Sequence, residues 1–169
     1  MSKRKNPTLA MSDISRRTFL CTLWALSGSL CLSEAAHAAA DAVRLRLGRT
    51  DVTLEVADTE IARRIGLMHR STLEADHGML FLFDRPAPRA LWMKNTLIDL
   101  DAAFVDKRGR IIRIVTMRRA TTDLHACDGP VSCIVEMNAG WFSAHGLYAG
   151  DVLEDLREES LARILDRSA

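Results

Sequence analysis

The sequence predicts a mainly β domain: a small β-sandwich or jelly-roll-like barrel with one or two short helices and a C-terminal helix. Three observations support that class. Six or seven short segments either alternate between apolar and polar residues or are apolar throughout. Gly, Asp and Pro break the chain between them at close intervals. Helical periodicity is sustained only near the C-terminus. At 169 residues the chain suffices for one domain with a real core and is too short for two.

Residues 43–47 and 51–57 alternate cleanly, with Gly48, Arg49 and Thr50 between them. They predict a hairpin whose Val43, Leu45, Leu47, Val52, Leu54 and Val56 face inward. Asp58 or Thr59 caps a short helix over 60–65, which Gly66 ends. Residues 79–83 are apolar at every position and predict a strand buried on both faces, and 84–88, with two prolines, predict a turn. Segments 98–105 and 110–117 form a second hairpin across 106–109, and 131–137 and 151–155 add two strands. Beyond 155 the pattern changes. Leu156, Leu161, Ile164 and Leu165 fit one helical face in a C-terminal extension over 156–169, which either docks on the domain or meets a protein partner.

Lys3, Arg4, Lys5, Arg16 and Arg17 precede a largely apolar run over 18–32, and Ala36-His37-Ala38 supplies a small-x-small cleavage site. Residues 1–38 therefore predict a signal peptide, with Ala39 as the mature start, or Asp41 if Ala38-Ala39-Ala40 is used. Glu34 and His37 argue against a retained anchor. Ser15-Arg16-Arg17-Thr18-Phe19-Leu20 resembles a twin-arginine export signal, the ordinary secretory route being the alternative. The expected destination is the periplasm or the exterior, with the membrane met only transiently during export. Cleavage removes 5 of 23 basic and 2 of 22 acidic side chains, leaving 18 against 20. A nucleic-acid partner, which wants a basic stripe, is not expected.

Neither Cys21 nor Cys31 sits in a convincing lipidation motif, and both leave with the leader. Cys127 and Cys133 flank Asp128-Gly129-Pro130, a turn sequence. In an oxidising compartment that pair predicts a disulfide, with a redox pair or a metal pair as alternatives.

Residues 63–70 (RRIGLMHR), 78–83 (GMLFLF), 91–106 (LWMKNTLIDLDAAFVD) and 134–151 (IVEMNAGWFSAHGLYAGD) together resemble the bacterial and archaeal family called domain of unknown function 192. The resemblance spans about residues 43 to 155 and runs through Gly66, Leu67, Met68, Arg70, Gly78, Met79, Trp92, Met93, Lys94, Asn95, Thr96, Asp101, Glu136 and Gly140. It implies a small, mainly β, jelly-roll-like domain, often exported and with no established activity. Where the family often has a proline after its third hairpin, this chain has Arg118-Arg119-Ala120-Thr121, and the C-terminal helix lies outside the pattern.

The residues offer little standard catalytic machinery. There is no nucleophile elbow, zinc-binding helix motif or phosphate loop. His69, His77, His125 and His145 lack ligand-like spacing, and Ser71, Ser132 and Ser143 have no visible base. Met68, Met79, Met93, Met117 and Met137 are soft donors of the sort that hold Cu(I), but core filling explains them without metal. No metal or cofactor is expected.

What remains is polar: Arg70, Lys94, Asn95, Thr96, Asp99, Asp101 and Glu136, beside Trp92. Carrying the alternation of 98–104 backwards puts Lys94 on the apolar face. Either a bulge at Asn95-Thr96 turns Lys94 to solvent, or it points inward to a carboxylate, with Asp101 the first candidate. Three function classes follow. The leading one is a binding module in which Arg70, Lys94 and Asn95 hold a small anionic or polyhydroxylated ligand against Trp92. The second is an envelope-polymer enzyme using Asp99, Asp101 or Glu136 as acid and base. The third is a structural or interaction domain whose motifs serve only the fold.

Overall fold

The computed structural model describes residues 42–166. The signal peptide predicted over 1–38, with its export motif and cleavage sites, lies outside the described residues.

The first alternating segments form β1 (Ala42–Leu47) and β2 (Thr50–Ala57), paired antiparallel with Val43 opposite Leu54 and Leu45 opposite Val52. α1 (Glu60–Ile65) follows, with the Thr59 hydroxyl accepting from Ala62 N at 3.1 Å and Gly66 at its C-terminal end with φ +50°. Then come β3 (His77–Leu91), β4 (Leu100–Val105), β5 (Arg108–Met117), β6 (His125–Asn138), α2 (Trp141–Ala144), β7 (Val152–Arg157) and α3 (Glu158–Asp166). The sheet order is β1-β2-β3-β6-β4-β5-β7, antiparallel except between β2 and β3. The sheet curls into a nearly closed barrel. At its seam the Asp155 carboxylate on β7 accepts from Arg46 N on β1 at 2.7 Å, and Leu45, Leu47, Leu153 and Leu156 from the two edges share one core.

Two apolar cores result. The first fills the barrel with Val43, Leu54, Leu80, Val105, Val135 and Met137, and Trp141 and Phe142 of α2 pack into it. The second lies on the outer face of β3, β6 and β4, where Met79, Phe81, Leu100, Phe104 and Ile134 pack with Leu67 and Met93 from the connecting segments. Every residue of β4 is buried as a consequence. Alternation still sorts its side chains, with Ala103 and Val105 facing the barrel and Ala102 and Phe104 the outer core.

Four expectations change. β3 does not end at a turn over 84–88. It continues to Leu91, with register shifts between Leu82 and Ala87 and between Ala87 and Arg89 that accommodate the two prolines. β4 begins at Leu100, leaving Ile98 and Asp99 in the preceding segment. Leu156 belongs to β7, and α3 turns Leu161, Ile164 and Leu165 onto the barrel core, so its apolar face is engaged within the domain. Finally, Cys127 and Cys133 are free, buried thiols on the single strand β6, one in each core. Six residues of extended strand separate them by roughly 15–20 Å, whereas a disulfide needs Cα atoms within about 7 Å. The Asp-Gly-Pro segment that suggested a turn is part of the strand.

Candidate functional site

The outer face is built in rows by the strand register. Glu55 on β2 lies opposite Met79 on β3, Met79 opposite Glu136 on β6, and Glu136 opposite Ala102 on β4. Met79 and Ala102 belong to the outer core, as does Ile134 two residues before Glu136. Glu136 is thus a carboxyl group set into an apolar row, and only 5 % of its surface reaches solvent.

The Glu136 side chain makes no hydrogen bond or ion pair to another described residue. Burial in these surroundings pushes its carboxyl pKa up to about 8. At neutral pH it stands as a carboxylic acid, with one O–H to donate and carbonyl oxygen to accept.

Segments 66–73 and 92–99 contribute Leu67, Leu73, Met93 and Ile98 to this face, and backbone hydrogen bonds hold the segments to each other. His69 N donates to Asn95 O at 2.8 Å, and from the 118–122 segment Ala120 N donates to Thr96 O at 2.9 Å. Asn138 Nδ2 donates to the carbonyls of Leu73 and Glu74 at 3.1 and 3.0 Å. His69, Asn95 and Ala120 have φ of 65°, 60° and 56°, and they are the non-glycine residues with positive φ among the described residues. Asn enters this region readily, whereas Ala there costs about 1 kcal/mol. Strain of this kind, gathered at one contact between three segments, is characteristic of sites where geometry is held for a purpose.

The structure resolves the placement of Lys94. The turn at Asn95 breaks the alternation, and Lys94 is exposed, its Nζ 5.4 Å from the centroid of the Trp92 ring. It does not pair with Asp101. The Asp101 carboxylate points to the barrel side, where it accepts from Thr116 Oγ1 at 2.7 Å and from Gly140 N at 2.9 Å, tying the start of α2 to β4 and β5. Lys94→Met should therefore leave thermal unfolding within about 0.5 kcal/mol of wild type, as exposed substitutions do. A loss of several kcal/mol in that melt would mean that the lysine neutralises a buried carboxylate after all.

The other expected residues separate in the same way. Arg70 makes a bidentate ion pair with Glu55, at 2.5 and 2.6 Å, with both side chains half-buried. Trp92 is 43 % exposed, Asn95 is exposed and Thr96 is buried. Asp99 is exposed and its Oδ1 accepts from Arg119 N at 2.7 Å. Asp101 and Glu136 lie on opposite faces of the sheet, so these carboxylates do not converge as an acid and base about one bond. Glu55 is the residue that sequence reading misses, because its place in the alternation of β2 looks like an ordinary solvated position. No three His, Cys, Asp or Glu side chains among the described residues converge in a metal-holding group. A shallow depression of about 550 Å³ lies at the barrel seam, lined by Arg44, Arg46, Asp51 and Asp155 and away from Glu136.

Fold and site together define a class: a small, nearly closed β barrel whose covered outer face holds a buried acid. The chain belongs to the family of uncharacterised ACR proteins, domain of unknown function 192, which matches residues 43–154. A crystal structure from Sinorhizobium meliloti 1021, of a protein provisionally named a transcription regulator, is similar at 35 % identity and a TM-score of 0.61. That match covers 66 % of this chain and 89 % of the other. A protein of unknown function from Novosphingobium aromaticivorans DSM 12444 is similar at 29 % identity and a TM-score of 0.59, covering 66 % and 81 %. No curated protein matches the chain.

Proposed function

We propose that the protein is an exported binding module that receives a small anionic or polyhydroxylated ligand at this outer face. Glu136 is the group the ligand reaches, and Trp92, Lys94 and Asn95 form the exposed rim. The observation that carries this reading is the unpartnered Glu136. A carboxyl group set in an apolar row with no protein partner is a place where a ligand can complete the hydrogen bonding. As a neutral acid it donates to a ligand oxygen without repelling negative charge. Lys94, against the Trp92 ring and without a carboxylate partner among the described residues, supplies attraction, and the half-exposed indole supplies a flat apolar face. Arg70 is neutralised by Glu55 and acts by holding its segment in place. Thr96 and Asp101 support the surrounding backbone.

The provisional regulator name of the Sinorhizobium protein is not carried over, because acidic side chains outnumber basic ones beyond residue 38. The test is thermal shift of the purified protein against anionic metabolites and cell-wall sugars at pH 6.5 and pH 9.5. An anionic ligand is expected to stabilise the protein at pH 6.5, to bind at least ~10-fold more weakly at pH 9.5, where Glu136 is ionised, and to lose affinity in Lys94→Met. A panel without one stabilising compound at either pH would end this reading.

A further inference from the structure

Three buried side-chain polar atoms lack a hydrogen-bond partner among the described residues: Arg89 Nε, His125 Nε2 and Ser132 Oγ. All three lie where the second half of β3 runs beside residues 125–133 of β6, with Arg89 opposite Cys127 and Leu91 opposite His125. Arg89 is the most informative, because it stands among like charges. Its guanidinium lies 4.0 Å from the centroid of the Phe83 ring, and that of Arg63 lies 5.4 Å from the same centroid. Arg63 is fixed by donating from Nη1 to the carbonyls of Asp58 and Leu82. Arg89 Nη2 donates to Arg85 O at 3.0 Å, which ties Arg89 to the irregular stretch that carries the exposed Arg85. No carboxylate forms an ion pair with Arg63, Arg85 or Arg89 among the described residues.

We propose that Arg63 and Arg89, both set against the Phe83 ring, and the exposed Arg85 beside them form a binding site for a phosphate-bearing small molecule. The guanidinium groups of Arg63 and Arg89 are held in place by backbone carbonyls and an aromatic ring rather than by counter-charges, so each keeps N–H donors for a ligand. Planar guanidinium forks fit the paired oxygens of a phosphate, and hydrogen bonds between charged partners are the strong ones. The three cations, none of them ion-paired among the described residues, suit the charge of a phosphate group. Burial first, and then Arg63 and Arg85, hold the Arg89 guanidinium below the usual arginine range, against the opposing pull of Asp84. A bound phosphate would relieve that repulsion and give Arg89 Nε an acceptor. The site is separate from the one at Glu136: Phe83 is four residues beyond Met79, the ladder partner of Glu136, or roughly 13 Å along β3. Its success or failure is therefore independent of the reading given for Glu136.

Inorganic pyrophosphate is the probe, titrated into the purified protein with sodium chloride at equal ionic strength as the control. The expected result is a saturable rise in Tm beyond that of the salt control. It should weaken at least ~10-fold in Arg85→Gln and in Arg89→Gln and persist in Lys107→Gln, which removes an exposed cation elsewhere. Arg85 is exposed, so Arg85→Gln keeps the test decisive should Arg89→Gln fail to fold. A wild-type shift no larger than that of sodium chloride would overturn the proposal, as would an undiminished shift in the folded arginine variants.

Discussion

Glu136→Gln should remove most of the decline in stability that the wild type shows between mildly acidic and alkaline pH. The sign follows from linkage. The carboxyl pKa in the folded protein is about 8, above the unfolded value of 4.5. Between those values the folded state holds a proton that the unfolded state has released, so rising pH favours unfolding. The stability associated with the neutral acid is fully present below pH 4.5 and is lost as pH rises through about 8. A shift of this size corresponds to about 3–5 kcal/mol, a large part of the total for a domain of this size. Urea unfolding at pH 5, 7 and 9 reads it directly: the wild-type midpoint should fall with pH, and the Gln variant, which cannot ionise, should stay nearly level. Parallel curves for the two proteins would show that Glu136 is ionised in the folded state, or solvated.

The second large effect is expected at Gly78, and its cause is steric. A Cβ at this position would stand 2.2 Å from the Glu136 carbonyl oxygen, 2.5 Å from Met137 Sδ and 3.0 Å from Leu54 Cδ2. The methionine can move aside. The carbonyl oxygen cannot, because it belongs to the strand that pairs with β3 beside Gly78. Gly78→Ala therefore has to push β3 away from β6 next to the Met79–Glu136 pair, with an expected loss of about 3 kcal/mol or more. In a domain of this length the melting temperature should drop by about 10 °C. Gly140 is a useful contrast. Nothing lies within 4 Å of a Cβ there, and only its φ of +84° opposes substitution, so Gly140→Ala should cost about 1 kcal/mol. If the two variants melt together, the close approach at Gly78 is not what fixes that residue.

Local chemistry made much of the fold legible. The β1–β2 alternation, a cap at Asp58 or Thr59 and the Gly66 terminus are each set by residues within a few positions of one another; the structure has the first and last where the sequence placed them and takes Thr59 as the cap. The failures share a cause: they depend on segments distant in sequence. The prolines of β3 looked like a turn because nothing nearby shows that β6 continues beside them with shifted register. Cys127 and Cys133 looked like the two sides of a loop for the same reason. Lys94 is a different case: of its two placements, the break at Asn95-Thr96 that turns it to solvent is the one found, and the φ of 60° at Asn95 is what ends the strand geometry. For the site, sequence reading selected Glu136 and the 92–96 segment, but not their environment. Periodicity says that β4 and β6 have two faces. Only the packing of Leu67 and Met93 shows that the second face is covered as well.

The binding role rests on Glu136 being a neutral acid without a protein partner in the folded protein at physiological pH. Carbon-detected NMR of the glutamate side-chain carboxyls, assigned with Glu136→Gln, measures its protonation in the folded state. The expected titration midpoint for Glu136 is near 8. A midpoint at the ordinary glutamate value of about 4.3 would contradict it, because an ionised Glu136 has no O–H to offer a ligand and repels the anions that the rim would otherwise attract.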